Sequence, residues 1–213
     1  SLIHTLYAPQ PWGGCRNCGE CRRGQQNLCD LPSSNDLGNG GNLYGGYSSH
    51  VIVPHYEYCF DKTGIPDGLA ATYMCAGLTA FSAMKKVGMP PNGAKDVLVL
   101  GLGGVGMQGF QMAKALFGGA PLSADLRQEA LDVTASQGSM TFNPSDPDVV
   151  KKIKQSSPDG TGIFAVVDFV GGDKTFALSS SIIRRGGIIV QVGLLGGAMS
   201  MGLPMFPLRA MQV

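Results

Sequence analysis

The feature that most constrains the fold is the segment VLVLGLGGVG at residues 97–106. Four apolar residues run into the spacing Gly101-x-Gly103-x-x-Gly106, and the residues that follow, MQGFQMAKALFG, have the composition of a helix. The first glycine allows a tight turn, the second lets a pyrophosphate approach the backbone, and the third lets the helix pack closely on the strand. Because a helix N-terminus favours an anion, the segment predicts a dinucleotide-binding turn at Gly101, Gly103, Gly104, Val105 and Gly106.

An acidic residue after the next strand would support this site, since a chain with 32 glycines can produce the glycine spacing by chance. Asp125 follows Gly106 by about 20 residues, the interval typical of the carboxylate that accepts the ribose hydroxyls of adenosine. Such a carboxylate would repel a 2′-phosphate, which predicts NAD over NADP. Arg127 leaves an alternative open because it could attract that phosphate, and Asp125 could instead be the N-cap of the next helix.

Beyond residue 94 the sequence alternates apolar strands with helices, a pattern typical of a parallel sheet covered on both faces. The run IFAVVDFV at 163–170 is apolar on both faces, as a central parallel strand should be. We therefore predict a doubly wound α/β nucleotide domain of the Rossmann type over 94–213, incomplete at its C-terminus, where a sixth strand would begin. The other expected strands are 97–100, 120–125, 140–143 and 188–195, and the later helices are 126–137, 148–155 and 174–183.

Four of the six cysteines lie close together, in the spacing C-x2-C-x2-C-x7-C. The loop that carries them contains too much Pro and Gly to form a regular element. Four thiolates from one loop can complete a tetrahedral zinc site that leaves no position for substrate. The pattern therefore predicts a structural zinc site in residues 15–29, held by Cys15, Cys18, Cys21 and Cys29. Two local disulfides or free thiols are the alternatives.

The segments around this loop predict a partial β domain over 1–64 and a connecting helical segment over 65–93. Apolar residues favour strands at 1–7 and within 51–60, whereas LAATYMCAGLTAFSAMKKVG at 69–88 has helical composition. Considered without further context, Cys59 and Cys75 are more simply core residues than metal ligands. His50 and His55 are likewise expected not to bind metal.

Composition argues against two classes of partner. The net charge is +1 with only 15% charged residues, so the sequence has no basic stripe for nucleic acid. No apolar run approaches the roughly 18 residues needed to cross a bilayer. We expect a soluble protein without a nucleic-acid or membrane partner.

The order of these motifs resembles that of the zinc-dependent medium-chain alcohol dehydrogenases, within the medium-chain dehydrogenase/reductase superfamily. The resemblance covers nearly the whole chain: the four-cysteine lobe, a β segment, the stretch TYMCAGLTAF, then GLGGVG and Asp125. It implies that residues 1–64 are part of a GroES-like catalytic domain and that the four clustered cysteines hold a structural zinc. It further implies that Cys75 is a ligand of a catalytic zinc. Around the nucleotide, the resemblance places Thr79 near the nicotinamide, Val192, Gly193 and Leu194 along the nicotinamide pocket, and Asp168 to Gly171, including Val170, beside the adenosine.

The resemblance implies a cytoplasmic, NAD-linked oxidoreductase that transfers hydride between a primary or secondary alcohol and NAD. It also implies a homodimer or homotetramer. Relatives carry further catalytic-zinc ligands upstream of the cysteine lobe, so the chain is expected to be an internal fragment without activity of its own. Two alternatives remain, a non-catalytic NAD-binding module stabilised by zinc and a zinc-free quinone or enoyl reductase of the same fold.

Overall fold

A computed structural model describes residues 7–9, 14–29, 49–50, 53, 56–194, 196–198 and 202–213. The chain divides into two compact units, residues 1–75 and 76–213. The division lies within the segment 65–93 that the sequence assigns to a connection. Residues 1–6 of the strand expected over 1–7 lie outside the described part of the chain, as does His55.

The first unit contains a two-stranded antiparallel sheet and the cysteine loop. Strand β1 (Tyr7–Pro9) pairs with β2 (Cys59–Asp61), and the unit also contains the helices α1 (Gly19–Arg22) and α2 (Asp67–Thr72). The expected strand within 51–60 is wrong over Tyr56–Tyr58, which form a 3-10 turn. This turn buries Tyr58, whose hydroxyl donates to the carbonyl of Gly14 over 3.2 Å and so fastens the cysteine loop.

The second unit is built on a five-stranded parallel sheet with the strand order β5-β4-β3-β6-β7. Helices lie on both faces of this sheet, as predicted for a doubly wound α/β domain. In chain order the elements are α3 (Leu78–Val87), a 3-10 turn (Gly93–Asp96), β3 (Val97–Leu100), α4 (Gly104–Leu116), β4 (Leu122–Ala124), α5 (Gln128–Ala135), β5 (Thr141–Phe142), α6 (Val149–Ser156), β6 (Ile163–Asp168), α7 (Asp173–Ile182), β7 (Ile183–Gln191) and α8 (Met205–Arg209).

Strand β3 is buried over its whole length and its side chains alternate between two cores. Val97 and Val99 pack in one core with Phe110 of α4 and Met84 of α3. Leu98 and Leu100 pack in the other core, which contains residues of β4 and β6 and of the helices α6 and α7. Burial on both faces requires the near-continuous apolar strands that the sequence shows. Because both faces are buried, polar groups lie at the ends of the strand.

Two elements differ from their expected bounds. Strand β7 begins at Ile183 rather than near residue 188, because Ile183 already pairs with Ile163 before a register shift in β6. The helix expected over 69–88 is interrupted by a π-helical turn at Tyr73–Gly77, between α2 and α3. At the far end of the chain, Gln212 forms a parallel bridge with Ile188, at the position where a sixth strand was expected.

No helix among the described residues is long and apolar enough to cross a membrane.

Candidate nucleotide and zinc sites

The glycine turn follows β3 directly, and two of its glycines cannot carry a side chain. Gly101 has φ +87°, and a Cβ there would lie 2.4 Å from Cγ2 of Val170. A Cβ on Gly106 would lie 1.7 Å from the carbonyl oxygen of Gly101. Such a distance is far below van der Waals contact, so helix α4 can approach the end of β3 only because residue 106 is glycine.

The other two glycines of the turn face open space. A Cβ on Gly103 or Gly104 meets no described atom within 4 Å, and both residues are exposed. Helix α4 begins here, and its first backbone hydrogen bond runs from the amide of Met107 to the carbonyl of Gly103 over 2.8 Å. The amides of residues 104–106 precede that bond and therefore have no acceptor within the helix. Open space beside such amides suits a bound anion.

Asp125 follows β4 and is buried against the glycine turn. Its carboxylate accepts hydrogen bonds from the amide of Leu102 over 2.6 Å and from the amide of Arg127 over 2.8 Å. The Nε of Arg127 approaches the same carboxylate at 3.2 Å, and its guanidinium also donates to the carbonyl of Leu102 over 3.0 Å. Burial raises the pKa of Asp125, but the hydrogen bonds from Arg127 and Leu102 outweigh it and hold the pKa below its ordinary value.

This geometry corrects one alternative for Asp125. The N-cap residue of α5 is Arg127, and no side chain caps that helix. Asp125 therefore does not act as the N-cap and instead connects the glycine turn with Arg127.

The ends of β6 and β7 meet the glycine turn at the same edge of the sheet. The amides of Val192 and Gly193 donate to the carbonyl of Asp168 over 2.8 and 2.9 Å, and Val170 lies against Gly101. Crevices outside the carboxyl ends of parallel strands are where open α/β sheets bind ligands. Leu194 is exposed at this edge. Thr79 lies half-buried near the start of α3, and no described hydrogen bond links it to this edge.

In the first unit, the four cysteine sulfurs all lie within 4.8 Å of one another. The Sγ atoms of Cys15 and Cys21 are 4.0 Å apart, and those of Cys18 and Cys29 are 3.9 Å apart. Tetrahedral zinc with bonds of about 2.3 Å would separate its sulfur ligands by about 3.8 Å. A disulfide needs a separation of about 2.05 Å, and none of the six cysteines, all of which are described, forms one. The arrangement fits a four-thiolate metal site and not the disulfide alternative.

Backbone amides point at these sulfurs, as expected around thiolates. The amide of Cys15 donates to Sγ of Cys29 over 3.3 Å, and the amides of Asn17 and Cys18 donate to Sγ of Cys15 over 3.4 and 3.2 Å. The amides of Asn17 and Cys18 lower the pKa of the Cys15 thiol, whereas burial raises the pKa of Cys21 to about 12. Metal binding at this loop requires these thiols to lose their protons.

The sequence profile of zinc-binding dehydrogenases matches residues 104–213, which is about half of the chain. The chain belongs to the zinc-binding dehydrogenase family. Its four-cysteine loop precedes the matched region.

Similar proteins extend the likeness to nearly the whole chain. An NAD-dependent alcohol dehydrogenase of Sulfurisphaera tokodaii is 34% identical over 209 residues, which cover 97% of this chain and 58% of that protein. An alcohol dehydrogenase from Thermus sp. ATN1 gives a TM-score of 0.83 at 24% identity and covers 95% of this chain and 59% of its own. The acetophenone reductase of Geotrichum candidum in complex with NAD gives 0.81 at 25% identity, with 97% and 57% covered.

These likenesses confirm the predicted fold class of the chain. They also show its extent, since the chain spans 57–59% of the length of these proteins.

Cys75 does not form a second metal cluster in the part of the chain that the structure describes. The cluster of Cys15, Cys18, Cys21 and Cys29 is the one group of three or more potential ligands among the described residues, and it does not include Cys75. Cys75 lies exposed in the π-helical turn, so the interpretation of Cys75 as a core residue is wrong. A single thiol does not make a catalytic metal site.

Two contacts at the nucleotide edge are not predicted from the sequence, although the resemblance already placed Asp168 beside the adenosine. The amide of Leu102, inside the glycine turn, binds Asp125. The carbonyl and the carboxylate of Asp168 hold the ends of β6 and β7. An acidic residue at the end of a buried parallel strand was the available signal for Asp168.

Proposed function

We propose that the chain forms the nucleotide-binding part and the zinc lobe of a zinc-dependent, NAD-linked alcohol dehydrogenase. Its substrates would be a primary or secondary alcohol and the matching aldehyde or ketone. The observation that carries the proposal is the open glycine turn held against the buried Asp125 carboxylate. Family membership supports dehydrogenase chemistry at such a turn, and the relative from Sulfurisphaera tokodaii is named an NAD-dependent alcohol dehydrogenase.

In this proposal the carboxyl edge of the sheet holds the nucleotide. The amides of residues 104–106 bind the pyrophosphate, and the carboxylate of Asp125 accepts the hydroxyls of the adenosine ribose. Val170 lies beside the adenosine, and residues 192–194, together with Thr79, surround the nicotinamide. When bound, the nicotinamide supplies the hydride chemistry, and these residues bind and orient it.

The Asp125–Arg127 pair supports NAD as the cofactor. An unpaired arginine at this point would attract the 2′-phosphate of NADP, but the guanidinium of Arg127 is already held by Asp125 and by the carbonyl of Leu102. Nε and Nη2 of Arg127 are engaged in these contacts, and binding of a 2′-phosphate would bring the phosphate toward the Asp125 carboxylate.

The thiolates of Cys15, Cys18, Cys21 and Cys29 would hold a structural zinc, which replaces the apolar core that this loop lacks. Cys75 would contribute one thiolate to a catalytic zinc. The remaining ligands of that zinc are not found among the described residues of this chain.

Because Cys75 is the one candidate ligand of the catalytic zinc among the described residues, a second function for these 213 residues is also favoured. In it the chain is a zinc-stabilised module that binds NAD without turnover. The four-cysteine lobe argues against a zinc-free quinone or enoyl reductase, because such enzymes usually lack it.

The experiment combines zinc analysis, NAD⁺ binding and alcohol oxidation on one preparation. The 213-residue chain is expected to hold one zinc, to bind NAD⁺ and not to oxidise ethanol or 2-propanol. In a protein that completes the second zinc site, Cys75→Ser should abolish oxidation and leave NAD⁺ affinity unchanged. Oxidation by the 213-residue chain itself, with more than one zinc per chain, would contradict the assignment of a partial site. Oxidation that survives Cys75→Ser would remove that residue from catalysis.

A further inference from the structure

Asp168, the last residue of β6, holds two segments of the carboxyl edge at once. One oxygen of its carboxylate, Oδ1, accepts the amides of Val170 and Gly171 over 2.8 and 3.1 Å. Its backbone carbonyl accepts the amides of Val192 and Gly193 over 2.8 and 2.9 Å. The turn after β6 and the turn after β7 are therefore fixed by a single, fully buried residue.

These two turns contact each other through backbone atoms, and the turn after β6 contacts the glycine turn through the side chain of Val170. A Cβ on Gly171 would lie 2.1 Å from the carbonyl oxygen of Gly193, and a Cβ on Gly193 would lie 2.1 Å from the carbonyl carbon of Val170. Val170 in turn packs on Gly101, where a Cβ would lie 2.4 Å from its Cγ2. Movement of the turn at 170–171 would therefore shift both of its neighbours.

Stability alone does not explain why residue 168 carries a buried carboxylate. Its second oxygen, Oδ2, is buried and has no hydrogen-bond partner among the described residues. The same is true of Oε1 of Gln191, the residue that pairs with Asp168 in the neighbouring strand. A buried acceptor without a donor opposes folding. Sequences keep such costs mainly at functional sites.

We propose that Asp168 is a positioning residue of the nucleotide site. Its carboxylate holds the turn at 170–171 against the glycine turn, and its carbonyl holds residues 192–193. It thereby keeps the segment proposed to lie beside the adenosine in register with the segment proposed to surround the nicotinamide. The inference rests on the proposed nucleotide function.

The test compares Asp168→Ala with Asp168→Asn by calorimetric titration with NAD⁺ and by thermal unfolding. Asp168→Ala removes the acceptor for two amides and should weaken NAD⁺ binding by about tenfold or more, the effect of losing the support of one binding turn. Asp168→Asn keeps an amide oxygen for the same two donors and should bind NAD⁺ within about threefold of the unaltered chain.

Asp96 provides a matched control at the opposite edge of the sheet. It is also a buried carboxylate with one unpaired oxygen, but it precedes β3, where Asn92 donates to it over 2.7 Å. Asp96→Ala should lower the melting temperature and leave the affinity for NAD⁺ unchanged. An equal loss of NAD⁺ affinity in the Asp96 and Asp168 variants would show that the loss comes from general destabilisation. That result would overturn the proposal.

Two further results would also overturn it. One is a folded Asp168→Ala variant with unchanged NAD⁺ affinity, and the other is a folded Asp168→Asn variant that binds as poorly as Asp168→Ala. Amide hydrogen exchange at residues 169–172, measured without nucleotide, separates this inference from the function on which it rests. Faster exchange in Asp168→Ala shows that Asp168 holds the turn, whereas failure of the unaltered chain to bind NAD⁺ or NADP⁺ would contradict the nucleotide function itself.

Discussion

The side chain of Asp125 fixes the glycine turn and is also proposed to select the nucleotide. Its carboxylate fixes the glycine turn through the amide of Leu102 and occupies the guanidinium of Arg127. The same oxygens are proposed to accept the ribose hydroxyls of the nucleotide. A substitution at this position therefore affects the turn and the choice of nucleotide together.

We expect Asp125→Ser to weaken binding of NAD⁺ much more than binding of NADP⁺. The substitution removes the carboxylate that accepts the ribose and releases Arg127 toward a 2′-phosphate, so the ratio of the two dissociation constants should move toward NADP⁺ by about tenfold. Parallel titrations with the two nucleotides measure that ratio. Equal losses for both would show that Asp125 acts only on the turn.

At this scale the sequence predicts some residues well and others poorly. Gly101, Gly106 and Asp125 follow from a spacing whose physical reason is local, and the structure brings all three together at the end of β3. Asp168 could not be found in this way, because its partners Val192 and Gly193 come from another strand. Only the three-dimensional pairing of β6 with β7 reveals them.

At the scale of elements, the cysteine loop contains little regular secondary structure. Its folding is therefore expected to depend on metal binding by its sulfurs. Within it, α1 has four residues and the 3-10 turn Gln26–Leu28 has three. A loop of this kind buries little apolar surface, so a bound metal would supply most of its folding free energy.

Cys18→Ser should lower the zinc content of the chain and destabilise this loop. Replacing one thiolate by a hydroxyl removes a soft ligand from the site. Zinc analysis and thermal unfolding, with and without a chelator, measure the effect. Cys59→Ser is the matched control, since Cys59 lies in β2 outside the cluster and its loss should not change zinc content. Unaltered zinc content and melting temperature in Cys18→Ser would exclude a structural metal at this loop.

The elements themselves were predictable where the signal was strong and local. Strands β3 and β6 are apolar on both faces and appear where expected, apart from the last two residues predicted for β6. The early start of β7 was not predictable, because Arg184 and Arg185 interrupt its apolar pattern and Gly186 and Gly187 resemble a loop. These four residues lie in the register shift between two paired positions, since Ile183 pairs with Ile163 and Ile188 pairs with Ala165.

At the scale of the whole molecule, the proposed nucleotide binding requires the ends of several strands to lie together at the carboxyl edge of the sheet. The glycine turn comes from β3, Asp125 from β4, Val170 from β6 and Val192 from β7. The order β5-β4-β3-β6-β7 makes these strands neighbours at the carboxyl edge, although they are far apart along the chain. We propose that this edge binds the nucleotide at its open glycine turn.

Calorimetric titration of Gly103→Ala with NAD⁺ tests that claim most directly. A Cβ at residue 103 meets no atom of the described residues within 4 Å, so the variant should unfold at about the same temperature as the unaltered chain. Gly68→Ala is the control, because it adds a methyl group in equally open space on α2, in the other unit. We predict that Gly103→Ala loses about tenfold or more in NAD⁺ affinity while Gly68→Ala loses none. Unchanged binding by a folded Gly103→Ala variant would contradict the account.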